Sequence, residues 1–322
     1  MKWKRATRNY VDDQRGGGGG GFGGRRMGGG GGFPIPIPTG RGGAGGLGIV
    51  VVIAFIAIQM CSGGFGGGGS PGGGGTGGGA GGGGLGGGIG GGIGGLNAPD
   101  PEGSFAVQDD QTEFVRAVTE DVQVTWQEAF RAANREYRDA TLVLFDDGVD
   151  TGCGSASSQV GPFYCPADER VYIDLTFFDQ LKSQFGVSGD FAQAYVIAHE
   201  FGHHVQTVLG ISAEVRNEQQ TNPDRANDLS VRMELQADCF AGVWAHSVWA
   251  QPDDQAVQSI TQEDIRDGLA AAAAVGDDRI QERSGSGVNP ESWTHGSSEQ
   301  RMDWFQRGFG EGTAEACDTF SG

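Results

Sequence analysis

Basic residues are scarce in this chain of 322 residues: 22 Lys and Arg stand against 41 Asp and Glu, for a net charge of −19. So acidic a chain, with its arginines scattered, is unsuited to phosphate backbones, which excludes nucleic acid as a partner. Cysteine is scarce too, at five residues, and no Cys-x-x-Cys pair occurs, which excludes a structural zinc knuckle. The acidic pairs Asp146-Asp147 and Asp277-Asp278 lack EF-hand spacing and read as solvated faces. Apolar side chains are sparse in the first third, where no packed core can form.

Glycine takes their place. Of 63 glycines, 45 lie between Gly16 and Gly103. They follow no triplet period, so they are not collagen-like, and they offer too little apolar surface to offset the cost of ordering the backbone. Residues 1–45 therefore read as a basic, glycine-rich, disordered tail and 63–98 as a glycine-rich linker. The folded part is a single domain over 99–322, an ordinary size for an enzyme.

One apolar run, Leu47–Met60, interrupts the glycine tracts. Its core of about 14 residues is short of the ~20 that span a bilayer, but the uncharged flanks Gly42–Gly46 and Cys61–Gly64 bring it to spanning length. More than 40 residues precede it, too many for a cleaved signal peptide. The net charge is +6 up to Gly46 and −25 beyond it. This asymmetry predicts a single transmembrane helix over 46–62, with the N-terminus cytoplasmic and the acidic domain periplasmic or extracellular. Four cysteines fall on the exported side, which suggests two disulfides, with three pairings open. Cys153 with Cys165 closes a short loop rich in Gly, Ser and Pro, leaving Cys239 with Cys317.

Within the domain, Glu113–Tyr137 carries apolar residues at helical spacing. Thr141–Phe145 and Val171–Leu175 read as strands. Asp190–Leu209 reads as a helix, with Asp190 at its N-cap and Gly210 as its stop. Further helices are expected over Leu229–Trp249, Gln262–Val275 and Ser298–Gly308.

The chemistry lies in the Asp190–Leu209 helix. His199-Glu200-Phe201-Gly202-His203 is a His-Glu-x-x-His motif, and residues at i and i+4 share a helix face, so both histidines can reach one metal ion. Glu200 sits beside them as a candidate general base. A catalytic zinc needs a third protein ligand and an open position. Met233-Glu234-Leu235-Gln236-Ala237-Asp238 supplies it. Glu234 and Asp238 stand one turn apart among apolar residues, so Glu234 can bind metal while Asp238 accepts the other N–H of a ligand histidine.

Together with Cys153-Gly-Ser-Ala-Ser-Ser, Gly161-Pro-Phe-Tyr-Cys-Pro, His199-Glu-Phe-Gly-His-His-Val-Gln and Thr294-His-Gly-Ser-Ser-Glu-Gln-Arg, this arrangement resembles the "putative neutral zinc metallopeptidase" family of bacteria, of the glutamate-zincin type. The resemblance covers nearly all of Asp100–Gly312. It implies an α+β, zincin-like domain with an active-site helix and a small antiparallel sheet, exported behind one membrane span.

The remaining candidates rank lower. His204 is about 100° of helix turn from His203 and reads as a neighbour, His246 as a structural histidine and Tyr195 as packing. Tyr164 and Tyr172 could each polarise a carbonyl. His295 is a candidate transition-state donor on a loop. The expected function is hydrolysis of peptide bonds by zinc-activated water, with one Zn2+ per chain on His199, His203 and Glu234, and Glu200 as base. The substrate is a protein or peptide, and the edge of Val171–Leu175 is its expected docking strand. Two alternatives are an inert exported zinc-binding module and an enzyme acting on cell-wall peptides.

Overall fold

The computed structural model describes residues 1–16, 109–250, 256–285 and 287–321. The expected transmembrane helix over 46–62 and linker over 63–98 lie outside them. Among the described residues no helix is long and apolar enough to cross a membrane. In chain order the elements are β1 (Lys2–Trp3), β2 (Val11–Asp13), α1 (Asp110–Ala132), β3 (Thr141–Leu144), β4 (Gly148–Thr151), β5 (Gly154–Ser157), β6 (Phe163–Cys165) and β7 (Arg170–Ile173). Then come α2 (Thr176–Phe185), α3 (Asp190–Leu209), α4 (Ile211–Thr221), α5 (Ala226–Ala250), β8 (Val257–Ser259), α6 (Gln262–Ala274), α7 (Asp277–Ser284) and α8 (Ser298–Glu311).

The main sheet has strand order β2-β3-β7-β6. It is mixed where an antiparallel sheet was expected: β2–β3 and β3–β7 are parallel, and only β6–β7 is antiparallel. Parallel neighbours need long crossovers, and α1 lies within the one between β2 and β3. Successive side chains alternate between two buried faces. Leu142, Leu144, Val171 and Ile173 join the large core with the helices, whereas Val143, Phe163 and Tyr172 pack in a smaller core with Val149 and Ala156 of the β4–β5 hairpin. The Cys153–Cys165 disulfide fastens that hairpin to β6.

Residues 1–16 correct the expectation of disorder from the first residue. Val11–Asp13 pairs in parallel with Leu142–Leu144, and β1 pairs with β8. Trp3 meets Phe114 edge-on at 5.8 Å, and the Thr7 and Arg8 amides donate to the Glu120 carboxylate at 2.6 and 3.1 Å. These contacts hold the segment on the same body as the domain.

The helices are set by close approaches. α3 has the expected span Asp190–Leu209, but its N-cap is Gly189, and Gly210 ends it at φ 87°. A Cβ on Gly202 would lie 2.9 Å from Ala237 Cα, so α3 and α5 cross there almost backbone to backbone. α5 and α8 cross closer still. A Cβ on Gly308 would lie 1.9 Å from Cys239 O, and one on Gly242 would lie 2.1 Å from Phe305 O. α1 ends at Ala132, earlier than expected, because Asn134 turns the chain at φ 53°. Tyr137 then folds back to donate to Gln123 Oε1 at 2.8 Å.

Candidate metal centre

The Gly202 crossing sets the cavity-facing side of α3 against α5, and the ligand candidates meet there. His199, His203 and Glu234 each offer one ligand atom, all within 4.8 Å of one another. His199 Nε2 lies 3.2 Å and His203 Nε2 3.5 Å from the Glu234 carboxylate.

Both imidazoles are oriented from behind. Asp238 Oδ1 lies 2.9 Å from His199 Nδ1, and Gln206 Oε1 lies 2.9 Å from His203 Nδ1. An acceptor at each Nδ1 places the proton there and leaves the Nε2 lone pair for the cluster. Gln206 is itself pinned to α5, donating to Met233 O at 2.7 Å and Gln236 Oε1 at 3.1 Å. Two such imidazoles and a carboxylate, beside a cavity that can admit a further ligand, are the donor set of a catalytic zinc.

Asp238 carries more than one contact. Arg301 on α8 donates to it twice, from Nε at 2.7 Å and from Nη2 at 2.9 Å, and Tyr195 donates its hydroxyl to the same carboxylate. Tyr195 is thus part of the positioning network as well as packing. Arg301 was not singled out from sequence, although a buried carboxylate amid apolar residues demands a cation, and an arginine ends the Thr294–Arg301 motif. Gln206 likewise ends the His199–Gln206 motif, one turn past His203, without having been singled out.

The protonation balance follows from burial and charge. Burial disfavours a charged His199, but Asp238 and Glu234 outweigh it and raise its pKa to about 10 in the metal-free chain. Burial likewise pushes Glu234 up, and the neighbouring imidazoles more than reverse this, leaving it lowered. Glu200 is raised, chiefly by burial, against the opposing pull of His199 and His203. It lines the cavity and makes no hydrogen bond or ion pair with any described residue.

His295 also lines this cavity, which has a volume of about 190 Å³. The Asp277 carboxylate lies 3.2 Å from its Nδ1 and accepts the backbone N–H groups of Thr294, His295 and Gly296 at 2.7, 2.6 and 3.1 Å. Asp278 accepts from the Ser298 amide at 2.8 Å. The Asp277-Asp278 pair is therefore not the solvated face expected of it, because it organises the His295 loop and the start of α8.

The other candidates lie apart. His204 is held by Tyr164 Oη at 3.1 Å and Arg138 O at 2.6 Å, and His246 by Phe309 O at 2.7 Å. Tyr172 donates to Asp168 at 2.7 Å, on the face of the sheet that packs with the hairpin. Tyr164 lines the cavity with its hydroxyl committed to His204. β7 lies between β3 and β6, so it has no open edge for a peptide. β6 is the edge strand, and its Phe163 and Tyr164 line the cavity. Cys239–Cys317 is bonded directly beside Asp238.

The family model described as "Putative neutral zinc metallopeptidase" matches residues 96–320. YpfJ, an uncharacterized protein of Escherichia coli K12, is 48% identical over 214 residues, which cover 66% of this chain and 72% of that protein. The uncharacterized proteins Mb2605 of Mycobacterium bovis and Rv2575 of Mycobacterium tuberculosis are each 46% identical over 212 residues, covering 64% of this chain and 70% of theirs. No solved structure matches.

Proposed function

Since the chain belongs to the putative neutral zinc metallopeptidase family, we propose that it hydrolyses peptide bonds of proteins or peptides with one zinc ion held by His199, His203 and Glu234. The observation that carries this is Glu200: a buried carboxylate of raised pKa, without a hydrogen-bond or ion-pair partner among the described residues, in the same cavity as three converging ligand atoms. A structural zinc site in an inert binding module has no use for such a group.

Zinc held there would supply Lewis acidity, polarising the scissile carbonyl and lowering the pKa of a water to ~7. Glu200 is placed to accept a proton from the attacking water and to return it to the leaving amine. Burial disfavours a charged His295, but Asp277 at its Nδ1 and Glu234 outweigh it and raise its pKa, so as an imidazolium it offers its Nε2–H to the oxygen where negative charge develops. Asp238 and Arg301 hold His199 in the tautomer that binds metal. An extended peptide adds beside β6, the strand with an open edge on the cavity.

The domain works outside the cytoplasm, in the reading that its two disulfides support, since such bonds persist in oxidising compartments. In this reading residues 1–16, which pair with the domain, share that side. Digestion of a peptide library by the zinc-loaded chain, set against its Glu200→Gln variant, tests the proposal.

A further inference from the structure

The cavity continues past His203 toward α4. Thr207 Oγ1 meets Ser212 Oγ at 3.2 Å, which ties the end of α3 to the start of α4. Arg216 stands one turn beyond Ser212 and lines the cavity with Gln219. This end lies on the His203 side of the metal ligands. The cavity is also lined by Phe177, Gln180, Leu181, Gln184 and Phe185 of α2 and by Val196 of α3.

Arg216 Nε is shut off from solvent and has no hydrogen-bond partner, and its guanidinium forms no ion pair among the described residues. The amide oxygen of Gln219 is likewise buried without a partner. Its amide nitrogen is fixed by donating to Ala226 O at 3.1 Å and Ser230 Oγ at 3.0 Å. Carboxylates are in surplus in this chain, 41 Asp and Glu against 22 Lys and Arg. The other arginine of the cavity, Arg301, is saturated by Asp238. A buried donor left unmade is costly, and a guanidinium fork matches a carboxylate with two parallel hydrogen bonds.

We infer that Arg216 is the specificity residue of the cleft and binds a carboxylate of the peptide substrate on the His203 side of the scissile bond. This rests on the peptidase reading above. Thr207 is one helical turn from His203, and Arg216 one turn from Ser212, each turn rising ~5.4 Å. At ~3.3 Å per extended residue, the carboxylate sits roughly one to three residues from the cleaved bond. It belongs either to an acidic side chain or to the free C-terminus of a short peptide, and the guanidinium reads both in the same way.

The test is binding of fluorescent hexapeptides to the zinc-loaded, full-length Glu200→Gln chain, which holds substrate without turning it over. Matched peptides carry Glu or Gln at each position in turn, and a free or amidated C-terminus. The expected result is at least tenfold tighter binding for Glu at one position, which identifies an acidic side chain, or for the free acid alone, which identifies the C-terminus. Adding Arg216→Gln should bring that ratio to within twofold of one, with zinc content showing that the variant is folded, and Arg216→Lys should restore it in part. Equal binding of charged and neutral peptides, or a preference that survives Arg216→Gln, overturns the inference and leaves the peptidase reading standing. Failure of every peptide to bind, together with failure of the unmutated chain to cleave any, overturns both.

Discussion

Arg301 grips Asp238 through two hydrogen bonds, Nε to Oδ2 at 2.7 Å and Nη2 to Oδ1 at 2.9 Å, and Asp238 in turn holds His199 by its Nδ1. An arginine on the last helix thereby orients a metal ligand that it does not replace. Removing one member of a buried pair leaves an uncompensated charge, at a cost of about 3–5 kcal/mol. Asp238→Asn and Arg301→Gln should each weaken zinc binding by about 10–100-fold, the usual range for groups that orient ligands. Competition titration against a chelator of known affinity reads this. Wild-type affinity in both variants would remove the network from the metal site.

The α5–α8 crossing places Arg301 against Asp238 and tolerates no side chain at Gly308, where a Cβ would lie 1.9 Å from Cys239 O. Two positions further along the same helix, a Cβ on Gly310 would meet nothing within 4 Å. Gly308→Ala should therefore destabilise the domain by about 1–3 kcal/mol or more through forced separation of the helices. Gly310→Ala should be neutral, or stabilising by up to ~1 kcal/mol through its effect on helix entropy. Denaturant melts of the two variants side by side check the contrast, and equal midpoints would contradict the crossing.

Cys239 follows Asp238 and is bonded to Cys317, 78 residues away. Gln236 donates to Cys317 O at 2.8 Å, so the tail is fixed to α5 on the turn that carries Glu234 and Asp238. Loss of the bond in a Cys239→Ser, Cys317→Ser double variant should lower stability by about 2–4 kcal/mol. It should also weaken zinc binding, because the backbone beneath Glu234 loses its brace. Thermal melts with and without zinc separate the two effects, and an unchanged zinc-induced rise in Tm would mean that the tail does not brace the site.

Much of the candidate metal centre was legible because it is local. Two histidines at i and i+4, a glutamate between them, and an acidic pair one turn apart on an apolar helix are all set by helical periodicity within one element. The α3 boundaries followed from the same periodicity and from Gly210. The partners of those residues were not legible, because they come from distant sequence. Arg301 reaches Asp238 only through the Gly242–Gly308 crossing, and Asp277 reaches the His295 loop only once α7 has packed. β1 and β2, of two and three residues, have no stability of their own. They exist through pairing with β8 and β3, so composition alone assigned them to a disordered tail. The docking strand was misplaced for a related reason: Val171–Ile173 has the stronger strand signal because it is interior, buried on both faces.

The pairing of residues 1–16 with the domain has a topological consequence. Arg8 and Glu299 are both exposed on one body. Cysteines placed at either position should react equally with a membrane-impermeant maleimide in intact cells. Labelling at Glu299→Cys with none at Arg8→Cys would restore a single crossing between them and detach β1 and β2 from the domain in the cell.

The most direct test of the central claim is the activity and zinc content of Glu200→Gln measured on the same preparation. The substitution keeps size and hydrogen bonding but cannot accept a proton. Zinc should stay at about one per chain on His199, His203 and Glu234, while peptide turnover falls by about 10²–10⁴-fold, the scale of losing a general base. A variant that retains its zinc and digests peptides at the wild-type rate would contradict the assignment of Glu200.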